Sequence, residues 1–267
     1  MDALGLIFSL AAHAGYTTEI TKAVSVNKEL RTDDRIWKIL AHFNGQTLLA
    51  HAIEANNINH IQYLLSLDVP IGTALIDAST HNRLDIARLL ITKGANLDIH
   101  GRDETGDIGD TALMRASKCG HIEMVRLLIE KGADVNSADQ CDETALMIAC
   151  EHHHNEIARC LLDAGADIDA ESAGVYTALI VSTWANNIDI VRLLIERGAD
   201  IEWEEDSGYT SLMEAIWNGH NEIAFFLIEK GANVHHEGYD GNTALKMAIE
   251  YDYKDIARIL VEKGATV

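Results

Sequence analysis

His152-His153-His154 is a run of metal-ligating side chains, and Cys119, Cys141, Cys150 and Cys160 are the only thiols in the chain. A zinc ion needs ligands that converge on one point, usually from separated pairs. Three consecutive histidines on a turn diverge, and no cysteine or carboxylate stands at a characteristic zinc spacing from them, so no metal is expected. The chain also lacks a Gly-rich phosphate cradle, a nucleophile elbow, or a carboxylate pair that stands out from its 42 acidic residues. Catalytic residues and cofactors are therefore assigned as none. The remaining chemistry is that of recognition. Trp and Tyr combine a large apolar face with one polar atom, and carboxylates attract cations at long range.

The elements that position these side chains follow from one period. Thr-Ala-Leu recurs at Thr111, Thr144, Thr177 and Thr243, with Thr210-Ser211-Leu212 filling the gap, so five copies stand 33 residues apart. Gly132-Ala133, Gly165-Ala166, Gly198-Ala199, Gly231-Ala232 and Gly264-Ala265 keep the same beat. Within a copy, Leu113, Met114 and Ser117 fall near one helical stripe, and Val125, Leu127, Leu128 and Ile129 supply another, which predicts two amphipathic helices. Each Thr is placed to cap the first helix through its side-chain oxygen. Gly120 and Gly132 suit the left-handed residue that ends a helix, and Gly219, Asn82, Asn186, His153 and Asp252 stand where Gly120 does in other copies. One such unit cannot bury its own apolar face, so neighbours must stack.

The stretch Asp110-Thr111 to Val135-Asn136 resembles the ankyrin consensus, with its helix-opening tetrapeptide, its Gly120-His121 turn and its Gly132-Ala133-Asp134-Val135-Asn136 entry to a hairpin. Proline and histidine of the family tetrapeptide are absent. Ala takes the second place, and Met114, Met147, Ile180, Met213 or Lys246 the fourth, a style that resembles ankyrin proteins of bacteria and protists. The resemblance implies an all-α ankyrin-repeat solenoid of about eight stacked helix pairs, with short β-hairpin loops, a concave face and capping terminal repeats. Upstream the spacing changes: Thr47 to Thr73 is 26 residues, with Leu67-Asp68-Val69-Pro70-Ile71 in place of the Gly-Ala entry, and Thr73 to Thr111 is 38. A shortened hairpin is predicted at the first and a projecting loop, Asp98 to Asp110, at the second. Residues 1–46 are assigned as a degenerate N-terminal cap and connector, and 47–267 as the array, together one elongated domain.

The net charge of −21 argues against nucleic acid and against an anionic membrane as partners. Residues 134–250 hold 23 acidic and 5 basic residues, and so carry 18 of the 21 net charges. Met1 to Ala14 lacks a basic start, carries Asp2 and is too short to span a bilayer, so neither a signal peptide nor an anchor is expected. With burial accounting for Cys150 and Cys160, a reducing, cytoplasmic setting fits the cysteines. Cys119 and Cys141 are expected at exposed positions, with a disulfide between them left open.

In the ankyrin family, contacts come from the hairpin tip before each Thr and from the positions seven and eight residues after it. Carried over position by position, the resemblance implies partner-binding roles for Glu143, Glu151, His152, Glu171, Tyr176, Trp184, Trp203, Glu204, Glu205, Asp206, Tyr209, Trp217, Glu237, Tyr239, Asp240 and Tyr251. Three of the four Trp and four of the seven Tyr fall in that set, where the scaffold leaves them free to face solvent; packing between hairpins is allowed for Trp203 and for one or two Tyr. The function expected is a non-enzymatic module that binds a basic protein, narrowed to an inhibitor or immunity protein against a cationic enzyme such as a nuclease toxin. A scaffold, or a secreted microbial effector engaging a host protein, is the alternative within binding. An enzyme would have to act from the irregular first 46 residues, which are too few for a catalytic domain. Oligomeric state is open, a monomer being the simpler expectation.

Overall fold

A computed structural model describes residues 48–102 and 108–266. The expected N-terminal cap, the connector from Asn27 to Asn44 and the centre of the Asp98–Asp110 loop lie outside them. The chain divides into two compact units, Met1–Gly101 and Arg102–Val267. In the first, helical residues 48–54 (α1) and Ile58–Ser66 (α2) form one pair, and Ala74–Thr80 (α3) and Leu84–Thr92 (α4) the next. Leu49, Ile53, Ile61, Leu64, Leu75 and Leu90 are fully buried between them. The shortened connection is real: Asp68 and Gly72 take positive φ, and α3 starts at Ala74, eight residues after α2 ends.

The second unit is a solenoid of five helix pairs: α5 (Ala112–Lys118) with α6 (Ile122–Glu130), α7 (Ala145–Glu151) with α8 (Asn155–Asp163), α9 (Ala178–Trp184) with α10 (Ile188–Glu196), α11 (Ser211–Trp217) with α12 (Asn221–Glu229), and α13 (Ala244–Glu250) with α14 (Lys254–Glu262). The odd-numbered helices pack in one row and the even-numbered helices in a second row behind it. Every first helix has seven residues and every second helix nine, so register is kept throughout. The core is a ladder of equivalent positions, Leu113, Leu146, Leu179, Leu212 and Leu245 on the first helices, each at most 1 % exposed.

The turns match the residue types. Gly120, Gly219, Asn82, Asn186, His153 and Asp252 all take positive φ, the conformation that lets the chain leave one helix and enter the next within four residues. Where an expected two-stranded hairpin would lie, the described tips carry single antiparallel bridges: Ala138 with Thr144, Glu204 with Thr210 and Glu237 with Thr243. Three of the five register threonines cap as expected, with the Thr111, Thr144 and Thr243 side chains accepting from the backbone N–H of Met114, Met147 and Lys246. Thr177 differs: its hydroxyl is buried and has no hydrogen-bond partner among the described residues.

That difference makes a matched pair. Thr144→Val should destabilise the second unit by about 1 kcal/mol through loss of the cap. Thr177→Val should be neutral or stabilising, because it removes a buried hydroxyl that bonds to nothing. Urea unfolding of the two variants checks this, and equal losses would show that both threonines act alike.

Candidate partner-binding groove

Register brings the first-helix ends and the tips of successive copies to one side of the second unit. Trp184 ends α9, Trp217 ends α11 and Tyr251 follows α13, so their rings stand one repeat apart. The tyrosines that precede the helices fill the spaces between. Tyr176 meets Trp184 edge-on at 4.5 Å, Tyr209 lies 6.3 Å from Trp217, Trp217 meets Tyr251 edge-on at 5.8 Å, and Tyr251 reaches Tyr253 at 6.0 Å. Such contacts are worth about 0.5–1.5 kcal/mol each beyond burial. They fix these rings in place while leaving Trp184 and Trp217 at 37 % and 53 % exposure; Tyr239, outside this series, is 76 % exposed.

Glycines set the tips. A Cβ on Gly208 would lie 2.6 Å from the Tyr239 ring, and one on Gly238 would lie 2.5 Å from the Tyr209 ring. Each ring thus rests on the bare backbone of the adjacent tip, and Gly208 also holds a positive φ that closes its turn. Tyr209 is further tied by its hydroxyl, which donates to Asp240 Oδ2 at 2.6 Å and accepts from Asn242 at 3.1 Å. This anchoring holds the Asp240 carboxyl below the usual range, the Tyr209 bond being the main cause.

Between the two Trp–Tyr pairs lies a groove of about 590 Å³. Its walls are Tyr176, Trp184, Trp217 and Tyr239, and its carboxylates come from Glu205, Asp206, Glu214 and Asp240. Glu205 is 6 % exposed and Glu214 8 %. Glu205 Oε1 accepts from the Tyr209 backbone N–H at 3.1 Å. Glu214 Oε2 accepts from the Trp184 indole at 2.5 Å and from Asn218 at 3.3 Å. Burial pushes the Glu214 carboxyl above its ordinary range and Glu205 adds to this, while the Trp184 and Asn218 bonds oppose it. Among the described residues, none of these four carboxylates forms an ion pair. On the second-helix side, by contrast, several arginines have carboxylate partners: Arg126 with Glu156, Arg192 with Glu222 and Arg197, just after α10, with Asp163.

A second pocket of about 330 Å³ shares Tyr176 and Trp184 and adds Glu143, Glu151, Met147 and His153. Partial burial, then Asp139 and Glu151, hold the Glu143 carboxyl above its ordinary range. The two pockets together collect ten of the expected residues: Glu143, Glu151, Tyr176, Trp184, Glu205, Asp206, Tyr209, Trp217, Tyr239 and Asp240.

Six expected residues line neither pocket. His152 bonds back to the Ile148 carbonyl at 3.1 Å, Glu204 faces His236 at 3.7 Å, Glu171 and Glu237 are exposed tip residues, and Tyr251 flanks Trp217. Trp203 is half-buried and donates its indole N–H to the Val175 carbonyl at 3.0 Å, which ties one tip to the next. The packing between hairpins allowed for Trp203 and for one or two Tyr occurs at Trp203 and at Tyr209, which is 7 % exposed, and both bridge adjacent tips. His154 and His220 have a comparable role. Their Nε2 atoms lie 3.2 and 3.3 Å from the Lys118 and Trp184 carbonyls of the preceding copy, and the His154 ring covers Gly120. No metal-ligating group of three occurs among the described residues.

The residue that sequence reasoning passed over is Glu214. A signal was present: the same register position holds Ile148, Val181 and Met247, and Arg115, which is satisfied by Asp110 at 2.8 Å. The position is half-buried at Arg115 and Val181 and buried at Ile148, Glu214 and Met247. Because the Glu214 proton is held more tightly in the folded chain than in the unfolded one, stability falls as pH rises from the ordinary carboxyl range through the raised value. Glu214→Gln, which keeps the acceptor for Trp184, should therefore raise the unfolding temperature at pH 7 and leave it nearly unchanged at pH 4. Thermal melts across pH check this, and a loss of stability at pH 7 would show that the charge contributes to folding.

Among the described residues no helix is long and apolar enough to cross a membrane. No curated protein matches the sequence significantly. The profile of the family described as ankyrin repeats (3 copies) matches residues 8–103, 99–172, 171–238 and 208–267, and so runs through both units. The stacked helix pairs, their register and this match agree: the chain belongs to the ankyrin-repeat family and is a protein–protein interaction module.

Proposed function

We propose that the protein binds a basic protein partner through the acidic, aromatic face of its second unit, without catalysing a reaction. The observation that carries this reading is the pair of nearly buried carboxylates, Glu205 and Glu214, which lie between exposed Trp184 and Trp217 and have no cation beside them among the described residues. Burying a carboxylate without a counter-charge costs stability. A scaffold that needed only to fold would be better served by the Ile or Val that other copies carry at the Glu214 position. A cation supplied by a partner would offset that cost in the complex, and the exposed indoles offer the large, rigid area that anchors interfaces. The uneven charge, 18 of 21 net units within residues 134–250, would steer such a partner and speed its approach. The narrower form of this proposal is inhibition, in which these carboxylates stand where a cationic enzyme would hold substrate phosphates.

Affinity capture with the wild-type chain and with Trp184→Ala/Trp217→Ala, read by mass spectrometry, tests the reading. The double variant should keep its unfolding temperature within a few degrees yet weaken binding by at least ~2 kcal/mol, a typical hot-spot cost. Association should slow as salt rises. A captured partner that is acidic, or one that binds both chains equally at all ionic strengths, contradicts the proposal. Inhibition is then judged by adding the purified chain to the captured partner's own assay.

A further inference from the structure

The geometry points to an arginine pocket: we propose that the groove between Trp184 and Trp217 receives one arginine side chain of the partner, its guanidinium bonded by Glu205 and Glu214 and stacked on an indole face. This rests on the reading that the acidic face binds a basic protein and names what that face selects.

Both hydrogen bonds to Glu214 fall on Oε2, from Trp184 and Asn218, and the bond to Glu205 falls on Oε1. Glu214 Oε1 and Glu205 Oε2 therefore accept from no described residue, although each residue is at most 8 % exposed and lines the groove. Neither oxygen is sealed off, since the buried unpartnered atoms are all elsewhere. Asp240 is different: Tyr209 and Asn242 already occupy both of its oxygens. The open acceptors thus belong to residues of two elements, the Glu205 tip and helix α11, that line one groove.

The walls decide which cation fits. A quaternary ammonium suits aromatic rings but donates no hydrogen bond, and would leave both open oxygens unsatisfied. A lysine ammonium can donate, but it is a compact, strongly hydrated charge and loses more on entering a partly dry groove. A guanidinium is planar, weakly hydrated and carries five donors in a fixed fork, so it can address two carboxylates while a ring covers its face. Trp217 supplies such a ring: its indole makes no hydrogen bond to the described residues, meets Tyr209 at a tilt and Tyr251 edge-on, and is 53 % exposed.

The test titrates the purified, isotope-labelled full chain with the blocked pentapeptide Gly-Gly-Arg-Gly-Gly and with its Lys, trimethyl-Lys and citrulline counterparts. Indole N–H resonances are followed by NMR, which detects even millimolar binding. The Arg peptide should shift Trp184 and Trp217 saturably and bind at least about 10-fold more tightly than citrulline, and several-fold more tightly than Lys, as expected for charge-assisted bonds with planar donors. Glu214→Gln and Glu205→Gln should each weaken Arg binding about 10-fold, whereas Glu229→Gln, exposed on α12 outside the groove, should not. Glu214→Gln is the safer variant, because its fold is expected to be more stable than wild type at neutral pH. Equal affinity for Arg and Lys, tighter binding of trimethyl-Lys, unaffected Gln variants, or no shift of either indole overturns the arginine pocket. If such a failure accompanies a basic partner whose capture still needs Trp184 and Trp217, the partner reading stands and only the arginine assignment falls.

Discussion

A helix pair of seven and nine residues has too little surface to bury its own apolar stripe, and everything else in the second unit depends on that shortfall. Leu113, Leu146, Leu179, Leu212 and Leu245 reach full burial only because the next copy covers the previous one. Stacking requires each copy to start and stop at the same place, which is why threonine, glycine and the positive-φ residues recur on one beat. Once register is fixed, any residue outside the stripe is repeated as a row at the spacing of the repeats. The aromatic series from Tyr176 through Trp184 and Trp217 to Tyr251 is such a row, and it inherits its order from the core beneath it.

The same constraint explains how a site can be built without strain of its own. The tips are joined laterally by Trp203 to Val175, by Tyr209 to Asp240 and by His236 to the Gly208 carbonyl at 2.8 Å. His154 and His220 tie the first-helix ends in the same manner. These bonds cross from one copy to the next about one period later, so each tip is held by its neighbour. A partner would then meet rings already in place, and would not have to pay for ordering them.

Periodicity made the helices, the turn residues and the rows readable from the sequence, because stacking transmits register to every equivalent position. Even the shortened connection before Thr73 could be seen as a missing stretch of the beat. What periodicity could not separate was a tip residue that faces solvent from one that faces the adjacent tip. Tyr209 and Tyr239 follow similar glycines and each ring lies over the glycine preceding the other, yet one is 7 % exposed and the other 76 %, and it is the Tyr209 hydroxyl that is bonded to Asp240 and Asn242. Glu214 escaped for the opposite reason: it occupies a scaffold position, and attention to residues the scaffold does not need leaves out those that replace a needed one.

Glu214 and the aromatic row also share a physical logic. A carboxylate at an inward position is tolerable because Trp184 and Asn218 donate to it, and because the stack around it is continuous enough to absorb a local penalty. Removing its charge would relieve the fold, while a partner's cation would offset part of the same cost and would do so only in a complex. In the proposed complex, stability and recognition would therefore pull on the same oxygen atoms. In a linear array the penalty stays within one interface between neighbouring copies, so a repeat can hold an unsatisfied charge for a partner without endangering the repeats on either side.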